Sequence, residues 1–510
     1  MNKFFNKAKA AVVADGRFPA VITVVLLAIL IAANGIVYAL TNYFGLYLYS
    51  SDTSEMDVSD AVDPLFKEME KRGRKVEILF CMAEDDLAYH DTGAFVYYTA
   101  KQMAEKYSNV ISLEYMNILT KIDSTGKSRA SLINNEYKAA LAEGEVLRDS
   151  SVVFTYTSTI TGQKHYRVLT DNTSIGFASF FLLDASGNAV AYQGEEILAS
   201  MSVLSTAEKP KLAYFTQYHG EVVDVSLTTL LICAGYDIRV LNLRNVSSVP
   251  EDCDLLVISA PQTDFEKASA DSGVRTEIEH LTAYVENGGH ILATTHAYLK
   301  NPLKNLDAFF ASYGISIMRE GDVTGIVKDS ANSLPTDPYT LVASYAEGKL
   351  LDTLKKRVAD LGGVVLTESA ALKLSGNAKP LLFSSSAATL EANGETVNTD
   401  GDYVLAATAQ VNGKGNIVLV PSVYLTATDV MTSNTYSNRA LIYGLIETQF
   451  MDSTQNAQYL PYGCHSVNLM TDMLENLTAR AARIYTAVIF LIPTALAVGG
   501  FVVLRRRRNR

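Results

Sequence analysis

The residues able to do chemistry gather just after apolar runs. Gln217-Tyr218-His219-Gly220-Glu221 follows the run 212–216, Ala260-Pro261-Gln262 follows 255–259, and Thr295-His296 follows 291–294. If these runs are parallel strands of one sheet, their carboxyl ends meet at a single rim, where open α/β sheets bind ligands. His219, Glu221, Gln262 and His296 are then the candidate ligand-binding set, since imidazole, carboxylate and amide groups offer both donors and acceptors. The alternative reading has His219 and Glu221 shaping and capping the next helix, with Glu221 at its positive end. A catalytic set does not assemble. The residues Ser259-Ala260-Pro261 lack the glycine-flanked elbow of a nucleophile, and Pro261 has no N–H for an oxyanion hole. Gly126-Lys127-Ser128 ends like a phosphate-binding loop, but Lys121 stands where that loop needs glycine. Cys81, Cys233, Cys253 and Cys464 lack metal spacing, and no His-Glu-x-x-His pair occurs. Buried free thiols are the first expectation, a Cys233–Cys253 disulfide the alternative. No catalytic residue, metal site or cofactor is expected.

Periodicity supplies the elements that position these residues. A short helix is expected over 60–71 and a strand over 76–82. A helix over 97–107 and an alternating strand over 111–115 complete a βαβ unit. Strands follow at 152–156, 166–169 and 180–184. From 210 onward near-continuous apolar strands at 212–216, 238–243, 255–259 and 291–294 alternate with helices. The helices are marked by Leu227, Leu230 and Leu231, then by Ile278, Leu281 and Val285. Gly235 and Asn287-Gly288-Gly289 are the helix stops. Strands apolar on both faces imply helices on both faces, as in a doubly wound α/β domain. Residues 320–450 are less regular. Pro335 and Pro338 read as a loop, 389–402 as a polar hairpin or loop, 416–420 as a strand and 439–450 as a helix.

Composition points to lipid. Of the 510 residues only 19% are charged and 48% are hydrophobic, with net charge −12; soluble chains usually carry about a quarter charged residues. The acidic balance argues against nucleic acid as a partner. Residues 18–40 and 484–504 contain no charged residue, and each is long enough as a helix to cross a bilayer core of ~30 Å. Lys3, Lys7, Lys9 and Arg17 precede the first run and Arg505 to Arg508 follow the second. The positive-inside rule therefore predicts two spans, both termini cytoplasmic, in a bacterial cytoplasmic membrane, with the main body extracytoplasmic. An uncleaved first anchor is expected, since a cleavable apolar region is shorter.

Several segments, in order, carry a resemblance. They are Leu48-Tyr49-Ser50 to Val58-Ser59-Asp60, Tyr192-Gln193-Gly194-Glu195-Glu196, residues 211–221, and residues 254–262 with their Ala-Pro-Gln ending. The helix, Gly-Gly and strand of 284–292, the strand at 417–421 and the Asn438-Arg439 helix start complete the series. In this order the chain resembles the ABC-transporter auxiliary family typified by the gliding-motility protein GldG. The resemblance implies an accessory subunit working with a separate ABC ATPase and permease. The two apolar runs add membrane lipid as an expected partner, the polar rim adds an envelope glycan or protein ligand, and no catalysis of its own is expected. The resemblance further implies a thioredoxin-like-shaped first domain without the redox Cys-x-x-Cys. It also implies a glutamine-amidotransferase-like second domain without the nucleophile, shared with an intraflagellar-transport subunit. The expected fold is α/β, with N- and C-terminal transmembrane helices flanking those two domains. The expected division is a tail at 1–17, a span at 18–40, a stalk at 41–75, domains at 76–207 and 208–455, a membrane-proximal segment at 456–483, a span at 484–504 and a basic tail at 505–510. A glycan-binding or envelope-sensing module independent of any transporter is the alternative function.

Overall fold

The computed structural model describes residues 58–469 except 121–128, 137–145, 170–175, 184–188, 207–210, 222–223, 268–275, 300, 335–336, 349–350, 360, 432, 434, 451–459 and 465. Residues Met56–Met470 form one compact unit. It begins with helix α1, Asp63–Lys71, which has Pro in its first turn and buries Leu65, Phe66 and Met69. These positions lie three and four apart, on one helical face. Strand β1, Val76–Phe80, then passes through helix α2, Gly93–Lys106, to β2, Ile111–Tyr115. The pair is parallel, Val76 beside Ile111 and Phe80 beside Tyr115. The strands β3, Val152–Thr157, and β4, Lys164–Leu169, add antiparallel on the β1 side, giving the order β2-β1-β3-β4.

A second small sheet holds β5, Phe181–Leu183, and β6, Ala189–Tyr192, and is completed by Val467–Asn468 from the far end of the body. Helix α3, Gly194–Leu204, follows directly and is buried on nearly every side, Glu195 and Glu196 included. Buried carboxylates need partners, and each has them. Ser59 donates to Glu195 Oε1 from its N–H at 2.9 Å and from its hydroxyl at 2.7 Å. Arg439 reaches Glu196 Oε2 at 3.1 Å, and Tyr443 donates to Glu196 Oε1. Arg439 also donates to Ser466 Oγ at 2.8 Å and to the Cys464 carbonyl.

The largest sheet has twelve strands. Its parallel half comprises β7, Lys211–Thr216, β8, Tyr236–Leu241, β9, Leu255–Ser259, and β10, His290–Thr294. Helix α4, Val225–Cys233, connects β7 to β8, and helix α5, Glu277–Glu286, connects β9 to β10. The second half contains β11, Asp337–Tyr345, β12, Lys379–Phe383, β13, Val404–Val411, and β14, Gly415–Val420. β14 joins β10 in parallel, whereas β13, β12 and β11 continue antiparallel. The main path therefore runs β8-β7-β9-β10-β14-β13-β12-β11. Helix α6, Asn438–Leu445, carries Arg439 and packs behind this sheet. One hydrophobic core runs from Val62 through Phe80 and Phe215 to Leu441, so the small and large sheets share it; a second lies on the other face around Leu256, Ile291 and Phe310.

Three expectations need correction. The sequence reading leaves 320–450 irregular, yet most of the antiparallel half lies there. Pro338, read as loop, is the second residue of β11. Proline is tolerated near a strand start, and the Pro338 carbonyl still accepts the Asp329 N–H at 2.9 Å. The third correction is to the fold class and location. The structure is a mixed α/β body with several sheets, and among the described residues no helix is long and apolar enough to cross a membrane. The longest described helix, α2, has 14 residues, about 21 Å of helix, short of a ~30 Å hydrocarbon core. A frame of two transmembrane helices, and with it a two-span membrane location with an extracytoplasmic body, is therefore not supported. The runs 18–40 and 484–504 that suggested it lie outside the described residues, as does the turn read at 186–188.

The Glu196–Arg439 pair yields a stability prediction. Arg439→Met strands a buried carboxylate and should cost about 3–5 kcal/mol, measured by urea unfolding. Adding Glu196→Gln should recover part of the loss, because the uncompensated charge is then gone.

Candidate functional site

The carboxyl ends of β7, β9 and β10 do form one rim. After Thr216 the chain turns sharply: Tyr218 has φ 127° and Gly220 φ 78°. Gly220 also lies close to the neighbouring loop, where a Cβ would stand 3.3 Å from the Gln262 side chain. The two loops are stitched by backbone bonds. The N–H groups of Gln262 and Thr263 donate to the His219 carbonyl at 2.7 and 3.1 Å. The structure thus brings His219, Glu221 and Gln262 together. His296 stands two residues past β10 and is hydrogen-bonded to none of them.

His219 is not an open ligand. It is 3% exposed. One ring nitrogen, Nε2, lies 2.8 Å from Glu277 Oε1 and the other, Nδ1, 3.1 Å from Thr263 Oγ1. Its ring stacks on Phe265 with centroids 4.2 Å apart. Glu277 opens α5, and its second oxygen accepts the Glu266 N–H at 2.9 Å. Burial pushes the Glu277 carboxyl up, but the hydrogen bonds from His219 and Glu266 outweigh it and leave the value below the ordinary 4.5. The pair is a structural pin that fastens the β7 and β9 loops to the start of α5.

Glu221 does not cap the following helix. Asp224 does, its Oδ1 accepting the Leu227 N–H at 3.0 Å. Glu221 Oε2 instead accepts the His219 N–H at 2.6 Å, and its buried Oε1 has no hydrogen-bond partner. His296 is half-buried with an unpartnered Nε2, and burial lowers its pKa and favours the neutral ring. Gln262 is exposed. Tyr218 is 58% exposed, with the Arg244 guanidinium 4.4 Å from its ring centre, and Arg244 also pairs with Glu266.

The end of β9 carries an elbow that the sequence concealed. Ala260 has φ 46°, a left-handed conformation that costs a non-glycine residue energy, and its N–H donates to the Thr294 carbonyl at 3.1 Å. The side chain held there is a methyl group. Glu277, Thr263 and Phe265 were also missed. Glu277 reads in sequence as one of two acids in a helix's first turn, and nothing local ties it to a histidine 58 positions earlier. The four cysteines are buried free thiols, with burial pushing Cys81 and Cys253 up to about 12.

No family model matches the chain, and no curated protein matches it. Among solved structures it is similar to the mmIFT52 N-terminal domain, at 16% identity over 48% of this chain and 99% of that one, TM-score 0.36. It is also similar to the cytoplasmic protein STM3548 from Salmonella typhimurium, at 12% identity over 48% and 100%, TM-score 0.29. A third likeness is to the exo-β-1,4-mannosidase Op5Man5 from an Opitutaceae bacterium, at 12% identity over 73% and 51%, TM-score 0.30. Likenesses at this level carry no argument about activity.

Because the Glu277 value is depressed in the folded chain, its contribution to stability is present above about pH 4.5 and lost as pH falls through the folded value. Thermal unfolding followed from pH 7 to pH 3 should show a smaller acid-induced drop in Glu277→Gln than in the parent.

Proposed function

We propose that the chain is a non-catalytic accessory subunit of an ABC transporter system, serving a separate ATPase and permease through a binding module on the carboxyl rim of the large sheet. The observation that carries the non-catalytic part is Ala260. The backbone keeps a strained turn at the end of a central strand, the place where a nucleophile would stand, yet offers only a methyl group followed by Pro261, which has no N–H. His219, on the same rim, is spent on Glu277 and Thr263. The resemblance of the sequence, segment by segment, to the gliding-motility auxiliary family supplies the transporter part.

A tagged full-length chain recovered from its own cells in mild detergent should bring down an ABC ATPase and a multi-span permease together. Recovery of intact bait without either overturns the reading.

A second reading, a glycan-binding module, draws on the exposed tyrosines of the rim. Tyr218 and Tyr298, 58% and 61% exposed, follow β7 and β10 and offer flat faces on which sugar rings can stack. Under this reading a Tyr218→Ala, Tyr298→Ala double variant should lose oligosaccharide binding on a glycan array while its unfolding temperature stays unchanged.

A further inference from the structure

A cavity of about 470 Å³ lies at the opposite end of the large sheet, under the amino ends of β7, β9 and β10. Its size falls in the range of small-molecule sites, roughly 300–1,000 Å³, and no candidate residue of the rim lines it. Its walls carry charges of both signs. Lys211, the first residue of β7, brings an ammonium, with Nζ 5.6 Å from the Tyr236 ring centre. Glu251 and Asp254, in the turn before β9, bring carboxylates. Asp254 is fixed at this place: its Oδ2 accepts the Leu212 N–H at 2.7 Å, and its own N–H donates to the Leu212 carbonyl at 3.0 Å. The carbonyl end of α5 also faces the cavity and adds partial negative charge.

The remaining walls are aromatic and held firmly. The Tyr284 hydroxyl donates to the Cys253 carbonyl at 3.1 Å. Its ring lies over Gly289, where any Cβ would come within 2.4 Å of it. Phe450 lines another side, its ring centre 5.9 Å from that of His290. His290 opens β10, and its buried Nδ1 has no hydrogen-bond partner.

We propose that this cavity binds a zwitterionic small molecule of the amino-acid or short-peptide class. Its carboxylate faces Lys211, its ammonium faces Asp254, Glu251 and the end of α5, and its apolar side chain packs on Tyr284 and Phe450. A purely anionic ligand would meet two carboxylates and a helix carbonyl end, and a purely cationic one would meet Lys211. The site is separate from the rim, so transporter association and ligand binding can fail independently.

The test is calorimetric titration of the full chain with glycyl-phenylalanine, its N-acetyl form and its C-terminal amide. The free dipeptide should bind about tenfold or more tightly than either blocked form, since each block removes a charge-assisted hydrogen bond. Lys211→Met should weaken the free dipeptide by about tenfold and leave the amide form little changed, and Glu251→Gln should do the converse for the N-acetyl form. Glu251 is exposed, so that variant remains usable if Lys211→Met does not fold. Three results would overturn the proposal: no heat from any form at millimolar concentration, equal affinity for free and blocked forms, or binding abolished by a chelator.

Discussion

A carboxylate and a guanidinium buried together at Glu196 and Arg439 set the terms for the rest of the body. Taking two ions out of water costs several kcal/mol each, and their attraction offsets this only when the other lone pairs and protons are also satisfied. Arg439 divides its donors among Glu196, Ser466 and the Cys464 carbonyl, while Tyr443 covers the second oxygen of Glu196. Glu195, one residue earlier, takes Ser59. Residues near both ends of the described chain are thereby drawn to the first turn of α3, and Val467–Asn468 extends β6 beside it. With α3 and α6 joined through this network, the small sheet and the large sheet share one core.

The two ends of the large sheet then differ in character. At the carboxyl end the loops are tied inward: His219 is committed on both ring nitrogens, and the Ala260 elbow carries no reactive group. What reaches solvent there includes Tyr218 and Tyr298 beside Gln262. At the amino end Lys211, Glu251 and Asp254 line a cavity together with Tyr284 and Phe450. A rim of flat faces suits contact with a larger partner, and a walled cavity suits a small molecule.

The parallel strands β7, β9 and β10 were legible because each is a short, mostly apolar run stopped by a turn signal, too short for a buried helix and suited to a strand covered on both faces. The hairpin at 389–402 was legible for a similar reason: Asn393 and Gly394, both at positive φ, form a turn that local chemistry alone selects. The antiparallel strands β11 to β13 were obscured. Their register contains bulges, one near Pro380, and the pairings that order them, such as Ser344 with Phe383 and Phe383 with Val404, join segments remote in the chain, so no local period announces them. At the site, sequence reasoning placed His219, Glu221, Gln262 and His296 at one rim and left open whether His219 binds a ligand or shapes the segment that follows. Whether an imidazole is free depends on which carboxylate packs on it, and Glu277 arrives from another helix.

By itself the sequence determined the element types of the parallel half and the absence of a nucleophile after β9. It determined too that polar residues collect at strand ends. These follow from period, turn chemistry and residue identity, all of which act within a few positions along the chain. Only the tertiary structure decided that Ala260 is held in an elbow, that His219 is a pin, and that Lys211, Asp254 and His290 surround one cavity. The same holds for Glu196 and Arg439, 243 positions apart in sequence. Each of these depends on desolvation and on distances of about 3 Å between groups remote in the chain, and packing alone sets those distances.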